Sequence, residues 1–319
     1  MNDSSSRQRG VALIVALLVV ALATVLIAGL LDRGELTAAR TRNQLRVEQA
    51  RAYALGLEAY AAKVLGRDQA NGGGVDATDD IWALPLPPTP VPGGEITATM
   101  SDLNGRFNLN NLDPVDNANQ VLWLAKFRKL LRALKLDPTL ADNVVAWMST
   151  ESSSDSANAG DGYYLGQAVP YRAAHREFMH VSELRLVKGV DGEVYAALAP
   201  YVSALPVGTT INLNTASVPV LMTLTQAMTE AEAQPIWQQG HADFSSITAA
   251  ISAQPALGGL DAIECSACYS VQSSYFLARG EITLDGLPFT FYSLIERRTG
   301  SSASPGGIRV LQRSSGSDD

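Results

Sequence analysis

Histidine and cysteine are scarce in this sequence, three of the first and two of the second in 319 residues. His175, His180 and His241 are scattered, and His175 and His180 each read as a surface residue. A structural zinc site needs four ligands in paired spacing. Cys265 and Cys268 form a lone CxxC, with neither a second CxxC nor an HxxxH partner. Two cysteines also cannot build a disulfide framework. The pair could be redox-active, half a zinc site or a local disulfide. A thioredoxin-type pair sits at a strand-to-helix turn, whereas this one runs into a strand, which favours the local disulfide. There is no GxSxG motif and no nucleotide-binding glycine loop. The chain is expected not to be an enzyme. Basic residues are outnumbered too, 24 Lys and Arg against 32 Asp and Glu, for a net charge of −8. Affinity for nucleic acid comes chiefly from clustered cations on phosphates, so no nucleic-acid partner is expected.

What the sequence does have is a long uncharged run, Val11 to Leu31. At about 1.5 Å per residue such a helix reaches roughly 30 Å, the thickness of a bilayer's hydrocarbon core. Arg7 and Arg9 precede it, which puts the N-terminus in the cytoplasm and the bulk of the chain across the membrane. A secretory signal carries a small-residue cleavage site beyond its apolar core. Here the processing point lies before the run, between Gly10 and Val11. The helical pattern then continues and becomes amphipathic, with Tyr53, Leu57, Tyr60 and Val64 on one face, and should end near Gly66. That face and the exposed part of Val11–Leu31 are candidate contacts for partner helices.

Residues 67–94, with NGGG and PLPPTPVPGG, read as a loop. Glu95–Met100 alternates as a strand, and Asn104–Gly105 in SDLNGRFNLNNLD signals a hairpin. A strong amphipathic helix follows over 121–136, with Leu122, Phe127, Leu130, Leu131 and Leu134 on its buried side. TLADNVVAWM is a second helix, ending in the polar loop 149–162, which holds Glu151, Asp155 and Asp161. VSELRLVKGVDGEVYAALAPYV should form two short helices around Gly189–Gly192. In INLNTASVPVLMTL, Ile211–Leu213 is strand-like, Asn214–Thr215 caps a helix and Pro219 sits in its first turns. Finally 270–284 and 288–298, joined by Asp285–Gly286, read as a hairpin that completes the sheet begun at Glu95. SSASPGG and SSGSDD read as disordered.

Taken together, these stretches resemble the K-type minor pseudopilins of type II secretion. SDLNGRFNLNNLD is similar to the motif after their first strand, and VSELRLVKGV to their S-E-L-R-L signature. INLNTASVPVLMTL resembles the opening of a helix-hairpin-helix unit. Its hairpin position, TEAEAQPIWQQG, is acidic and lacks paired glycines, which suits packing rather than DNA.

The resemblance implies an α+β fold: a long transmembrane and amphipathic N-terminal helix, a small pilin-like antiparallel sheet, and a large all-α insertion of SAM-like or helix-hairpin-helix-like type. It divides the chain into a cleaved leader (1–10), the helix (11–66), the first part of the sheet domain (67–112), the helical insertion (113–262, in halves at 113–205 and 206–262), the C-terminal strands (263–313) and a disordered tail (314–319). It also implies prepilin peptidase cleavage between Gly10 and Val11, with N-methylation of Val11. Most pilin-like proteins carry Glu at the fifth mature position; Val15 stands there, which suits a subunit at the fibre tip. The implied partners are I-type and J-type minor pseudopilins, the other pseudopilins, the inner-membrane assembly platform and the peptidase. The implied place is the inner membrane, with a periplasmic bulk.

K-type proteins bind calcium through acidic residues in a loop resembling 149–162. Glu151 and Asp161 match that pattern, Ala146, Ser149 and Gly160 depart from it, and Asp155 could stand in for part of the loss. Calcium at this loop and a plain solvated loop both remain open. Two other readings also remain, a membrane-anchored binding protein such as a DNA-uptake component, and a type IV minor pilin.

Overall fold

The computed structural model describes residues 4–71, 74–114, 119–149, 160–258, 260, 268–298 and 307–316. It divides into two compact units, Met1–Tyr53 and Ala54–Asp319. One helix, α1 (Ser4–Asn71), supplies the first unit and the start of the second.

In the second unit a five-stranded sheet is built from β1 (Leu86–Val91), β2 (Gly94–Asp102), β7 (Tyr275–Leu284), β8 (Leu287–Arg298) and β9 (Gly307–Ser315). Its order is β1-β2-β7-β8-β9, antiparallel throughout. The β7–β8 hairpin turns at Asp285 and Gly286, both at positive φ (48° and 79°), as a type I′ turn requires. The pairing of Glu95 with Thr283 and Met100 with Ala278 joins the early strand to the late hairpin, as the alternating patterns predict.

The last turns of α1 cover one face of this sheet. Ala61, Val64 and Leu65 form a buried cluster with Trp82, Phe276 and Ile295, and Trp82 meets Phe276 edge-on at 5.1 Å. The helix comes close because residue 280 is glycine: a Cβ there would stand 2.8 Å from Leu57 Cδ1. Leu57 and Val64 are thus spent inside the chain, and of the predicted partner-contact stripe Tyr60 stays exposed. The helix also runs past Gly66 to Asn71. Buried Leu65 and the ion pair of Asp68 with Arg297 hold the added turn against the sheet.

Two more expectations fail at the sheet's edges. LPPTPV is a strand, β1, rather than loop. Its prolines are tolerated because an edge strand leaves one row of N–H positions unpaired. At the other edge Gly307, Ser314 and Ser315 belong to β9 instead of a disordered tail.

Between β2 and β7 the chain makes short helices: α2 (Gln120–Ala133), α3 (Leu140–Met148), α4 (Asp161–Leu165), α5 (Gly192–Leu198), α6 (Val218–Leu221), α7 (Glu230–Trp237) and α8 (Ile247–Ala253). A 3-10 turn over Val181–Leu186 precedes α5, so the two short helices expected around Gly189–Gly192 are present. Two short parallel ladders tie this body together: β3 (Phe107–Asn108) with β4 (Val202–Ser203), and β5 (Ile211–Asn212) with β6 (Tyr269–Ser270). One buried cluster runs from Phe107 to Val271 through both halves of the segment. Phe107 stacks on Phe127 at 5.1 Å near its centre.

Local detail departs from the pattern here. Leu122 and Leu134 are only partly covered, while Trp123 and Lys126 are buried on α2. Asn104–Gly105 turns the chain out of the sheet and makes no hairpin, because β3 pairs parallel with β4. The cap of α6 is Ser217, not Asn214–Thr215. The expected hairpin stretch is itself helix α7, closed by a Thr229–Glu232 capping box.

Candidate functional site

Val11 to Leu31 lies within α1 with its apolar side chains open to solvent, Val11 at 62% and Val15 at 52% exposure. By length and composition this is a candidate membrane span. Gly10 and Val11 are both helical, with no irregularity between them.

The acidic loop is visible only at its two ends, since Glu151 and Asp155 lie outside the described residues. At those ends His175 makes a bridge absent from the sequence reading. Its Nδ1 lies 2.6 Å from the Ser149 carbonyl, just past α3, and its Nε2 lies 3.0 Å from Asp161 Oδ1 at the start of α4. Both ring nitrogens face acceptors, which suits an imidazolium. The Ser149 carbonyl first, and Asp161 after it, hold the His175 pKa above its ordinary value. Asp161 Oδ1 also accepts from the Ala173 amide at 3.0 Å, and Oδ2 lies 3.7 Å from Arg172. Burial pushes its pKa up, but these partners outweigh it and the net shift is downward. A carboxylate already shared by two bases and an amide does not present the free oxygen edge that Ca²⁺ takes. The described part of the predicted calcium set does not fit the ion.

A second acidic group, Asp68, Asp76 and Asp80, sits where α1 meets the sheet. Its centre is a guanidinium. Arg297 donates to Asp68 Oδ2 at 2.8 Å, to both oxygens of Asp76, and to the Ser273 carbonyl at 2.9 Å. Asp80 accepts from the Ala77 amide and from Trp82 Nε1. Burial raises the Asp68 pKa despite its Arg297 partner.

Buried asparagines form the third constellation. Asn104 Oδ1 accepts from the Ser274 and Tyr275 amides, both at 3.0 Å, while its Nδ2 donates to the Thr210 carbonyl. Asn110 holds Phe178 through both its amide and its carbonyl, and holds the Leu205 carbonyl as well. Asn212 and Asn214 repeat the device at Asp76 and Phe244. Each side chain imitates a strand partner for a segment far away in sequence, satisfying backbone groups that no helix or sheet reaches. Nearby, Asp102 accepts from Thr215 Oγ1, from Ser273 Oγ at 2.6 Å and from the Asn104 amide. Loss of hydration still pushes its pKa up to about 6. The signal in the sequence was the density of Asn in SDLNGRFNLNNLD and INLN, which turn-based reasoning credits to loops.

Lysines play a related part on α2. Lys126 Nζ reaches the Thr223 and Leu224 carbonyls (3.1 and 2.7 Å), and Lys129 Nζ those of Thr225, Gln226 and Met228. Cys268 is buried and disulfide-bonded; Cys265, the chain's other cysteine, lies outside the described residues.

A family model for type II secretion system protein K matches residues 105–207, the asparagine-rich turn through the ladder strand β4. Type II secretion system protein K of Pseudomonas aeruginosa is 36% identical over 97% of this chain and 93% of its own length. The protein of the same name from Klebsiella pneumoniae is 32% identical over 92% and 93%. Among solved structures, a chain of the GspK–GspI–GspJ complex from enterotoxigenic Escherichia coli superposes with a TM-score of 0.73 at 28% identity, over 87% of this chain and 99% of that one. The likeness to named relatives runs along nearly the whole length of the chain, and the chain belongs to the type II secretion system protein K family.

Proposed function

We propose that this chain is a minor pseudopilin that sits at the tip of the type II secretion pseudopilus, starts its assembly, and supports protein export across the outer membrane. The observation that carries the reading is the near full-length likeness to K proteins, joined to the superposition on a chain that crystallised in a GspK–GspI–GspJ complex. By that likeness its direct partners are the I-type and J-type minor pseudopilins, with the other pseudopilins and the inner-membrane platform around them.

Residues 1–10 act as a leader. Prepilin peptidase cuts between Gly10 and Val11, Val11 is N-methylated, and Val11–Leu31 stays in the inner membrane with the bulk of the chain in the periplasm. Val15 offers no carboxylate to the terminal amine of a preceding subunit, which supports a terminal place. The insertion between β2 and β7, read as a SAM-like or helix-hairpin-helix-like packing module, is large enough to obstruct neighbours elsewhere along a fibre. The role is structural rather than enzymatic. Calcium would have to come from Glu151 and Asp155 with Asp161 released from His175, so the reading does not depend on it.

The test is co-purification from membranes with tagged I-type and J-type pseudopilins, in cells with and without prepilin peptidase. A ternary complex containing a chain that begins at Val11, formed only with the peptidase, is the expected result. A chain that stays uncut and alone in both cells refutes the proposal. A Val15→Glu variant found along the fibre shaft, with the unmodified protein confined to the tip, is expected from the terminal role.

A further inference from the structure

The sequence holds two Asn-Gly pairs, Asn71–Gly72 and Asn104–Gly105. Asparagine is thermolabile, most of all before glycine, which has no side chain to keep its own amide nitrogen from the neighbouring carboxamide. Asn104 is buried, and each of its polar groups is tied. Its amide donates to Asp102 Oδ1 at 2.7 Å, and its carbonyl accepts from the Asn212 amide at 3.0 Å. Its Oδ1 accepts from the Ser274 and Tyr275 amides, and its Nδ2 donates to the Thr210 carbonyl. One residue thus joins the end of β2, the start of β7 and the chain around β5, where the sheet meets the helical body.

The fold demands both members of this labile pair. The side chain at 104 must accept from two amides and donate to a carbonyl, which a carboxamide of this length does and a carboxylate cannot. At 105 a Cβ would stand 2.7 Å from both the carbonyl oxygen and Oγ1 of Thr215, closer than side chains come to a neighbour. While the joint is closed, deamidation is blocked. The reaction makes Asn104 Cγ tetrahedral and expels Nδ2 as ammonia, so the three buried side-chain bonds must break before it can begin.

We propose that Asn104 is a spontaneous modification site gated by the fold, inert while the joint between sheet and helical body is closed and converted once the joint opens. The Gly105 nitrogen, its proton taken by hydroxide, attacks Asn104 Cγ. A ring C–N bond forms, the Cγ–Nδ2 bond breaks, and ammonia leaves after taking a proton from water. Water then adds to either carbonyl of the succinimide and opens it to aspartate or to isoaspartate, with no change of oxidation state. Neither product restores the joint. A carboxylate at 104 has no proton for the Thr210 carbonyl, and it buries a second acidic group beside Asp102, where like charges disfavour each other. Isoaspartate also lengthens the main chain by one methylene at the end of β2. A chain that opens and is converted therefore stays open and carries a covalent record of it. The site works alike on and off a fibre, so it stands apart from the function proposed above.

The test holds the full chain in lipid nanodiscs, in mildly alkaline buffer with and without urea, and follows the chymotryptic peptides carrying Asn71 and Asn104 by mass and fragment spectra. In urea both asparagines should convert at similar rates. Without urea Asn104 should convert at least about a hundredfold more slowly than in urea, because only the open fraction of a buried joint reacts. Pulse proteolysis then compares the native chain with Asn104→Asp, which carries one of the two products. The variant should be cleaved at a clearly lower urea concentration. Conversion of Asn104 at the same rate with and without urea, no conversion in urea while Asn71 converts, or an Asn104→Asp chain as resistant as the native one overturns the proposal.

Discussion

The sheet and the helical body of the second unit are held together by different means. The sheet has long strands in continuous register, ten paired positions between β7 and β8 alone, and a compact apolar cluster under α1. In the helical body the α-helices after α2 have at most nine residues, and its ladders pair only two residues each. Elements that short cannot satisfy their own backbone groups, since most of a short helix consists of its termini. The deficit is met by side chains, with asparagine amides tying loops to loops and lysine ammonium groups collecting carbonyls. A long element organises its surroundings through periodicity, whereas a short one depends on single side chains placed by distant parts of the chain.

The sheet's side of that contrast can be broken most severely where α1 meets it. Arg297→Met should leave Asp68 and Asp76 buried without their cation, at a cost of about 3–5 kcal/mol. Urea unfolding of the full chain in nanodiscs measures it, with Trp82 reporting the sheet cluster. A loss below about 1 kcal/mol would mean that water already serves the two carboxylates.

Within the helical body, Asn110→Leu keeps the side-chain volume roughly constant but strands the Phe178 amide and carbonyl and the Leu205 carbonyl. The expected loss is about 2–4 kcal/mol, seen first by Trp123 and Trp147, with the Trp82 signal following later. Simultaneous loss of all three signals would show that the two regions unfold as one.

Asp102 sharpens the comparison through pH. Its pKa is near 6 in the folded chain against an ordinary 3.8. Between those values the folded state holds a proton that the unfolded state has lost, so stability falls as pH rises from about 4 to about 6. Asp102→Asn should flatten that slope and leave the variant about 1–3 kcal/mol better placed relative to the native chain at pH 7 than at pH 4. Parallel pH profiles for the two proteins would show that the carboxyl is ionised at no cost. The smallest effect is expected at Glu58, which holds Arg313 at the exposed edge of the sheet. Glu58→Gln should lower the unfolding midpoint only slightly, because the Arg313 guanidinium is exposed and its attraction is screened.

Much of the sheet half was legible from the residues. Asp285–Gly286 between two alternating runs has one good structural solution, and it forms. The apolar run at Val11 and the amphipathic continuation through Val64 likewise declare a helix. The prolines of β1 misled because a proline's cost in a strand depends on whether its N–H would have faced a partner. Only the strand order decides that. Gly307, Ser314 and Ser315 were misread for a similar reason: their polarity fits an edge strand as well as a tail.

The candidate sites were less legible. Asp161 was singled out as a calcium ligand of the acidic loop, and the structure gives its oxygens to His175, Ala173 and Arg172. Nothing local in RAAHREFMH shows that His175 closes on it, since the contact depends on α3 and α4 bringing residues 149, 161 and 175 together. Arg297 and Asp68 are 229 positions apart, and neither carries a local motif.

By itself the sequence determined the elements whose periodicity exceeds two turns or four alternations, the position of the apolar span, the β7–β8 turn, and the family resemblance carried by its motifs. Tertiary structure alone decided which carboxylates are free and which are neutralised, and which asparagines are turns and which are fasteners. The physical reason is range. Helical and strand patterns arise from neighbours within a few residues, whereas a buried charge or amide is satisfied by whichever distant group the fold delivers to it.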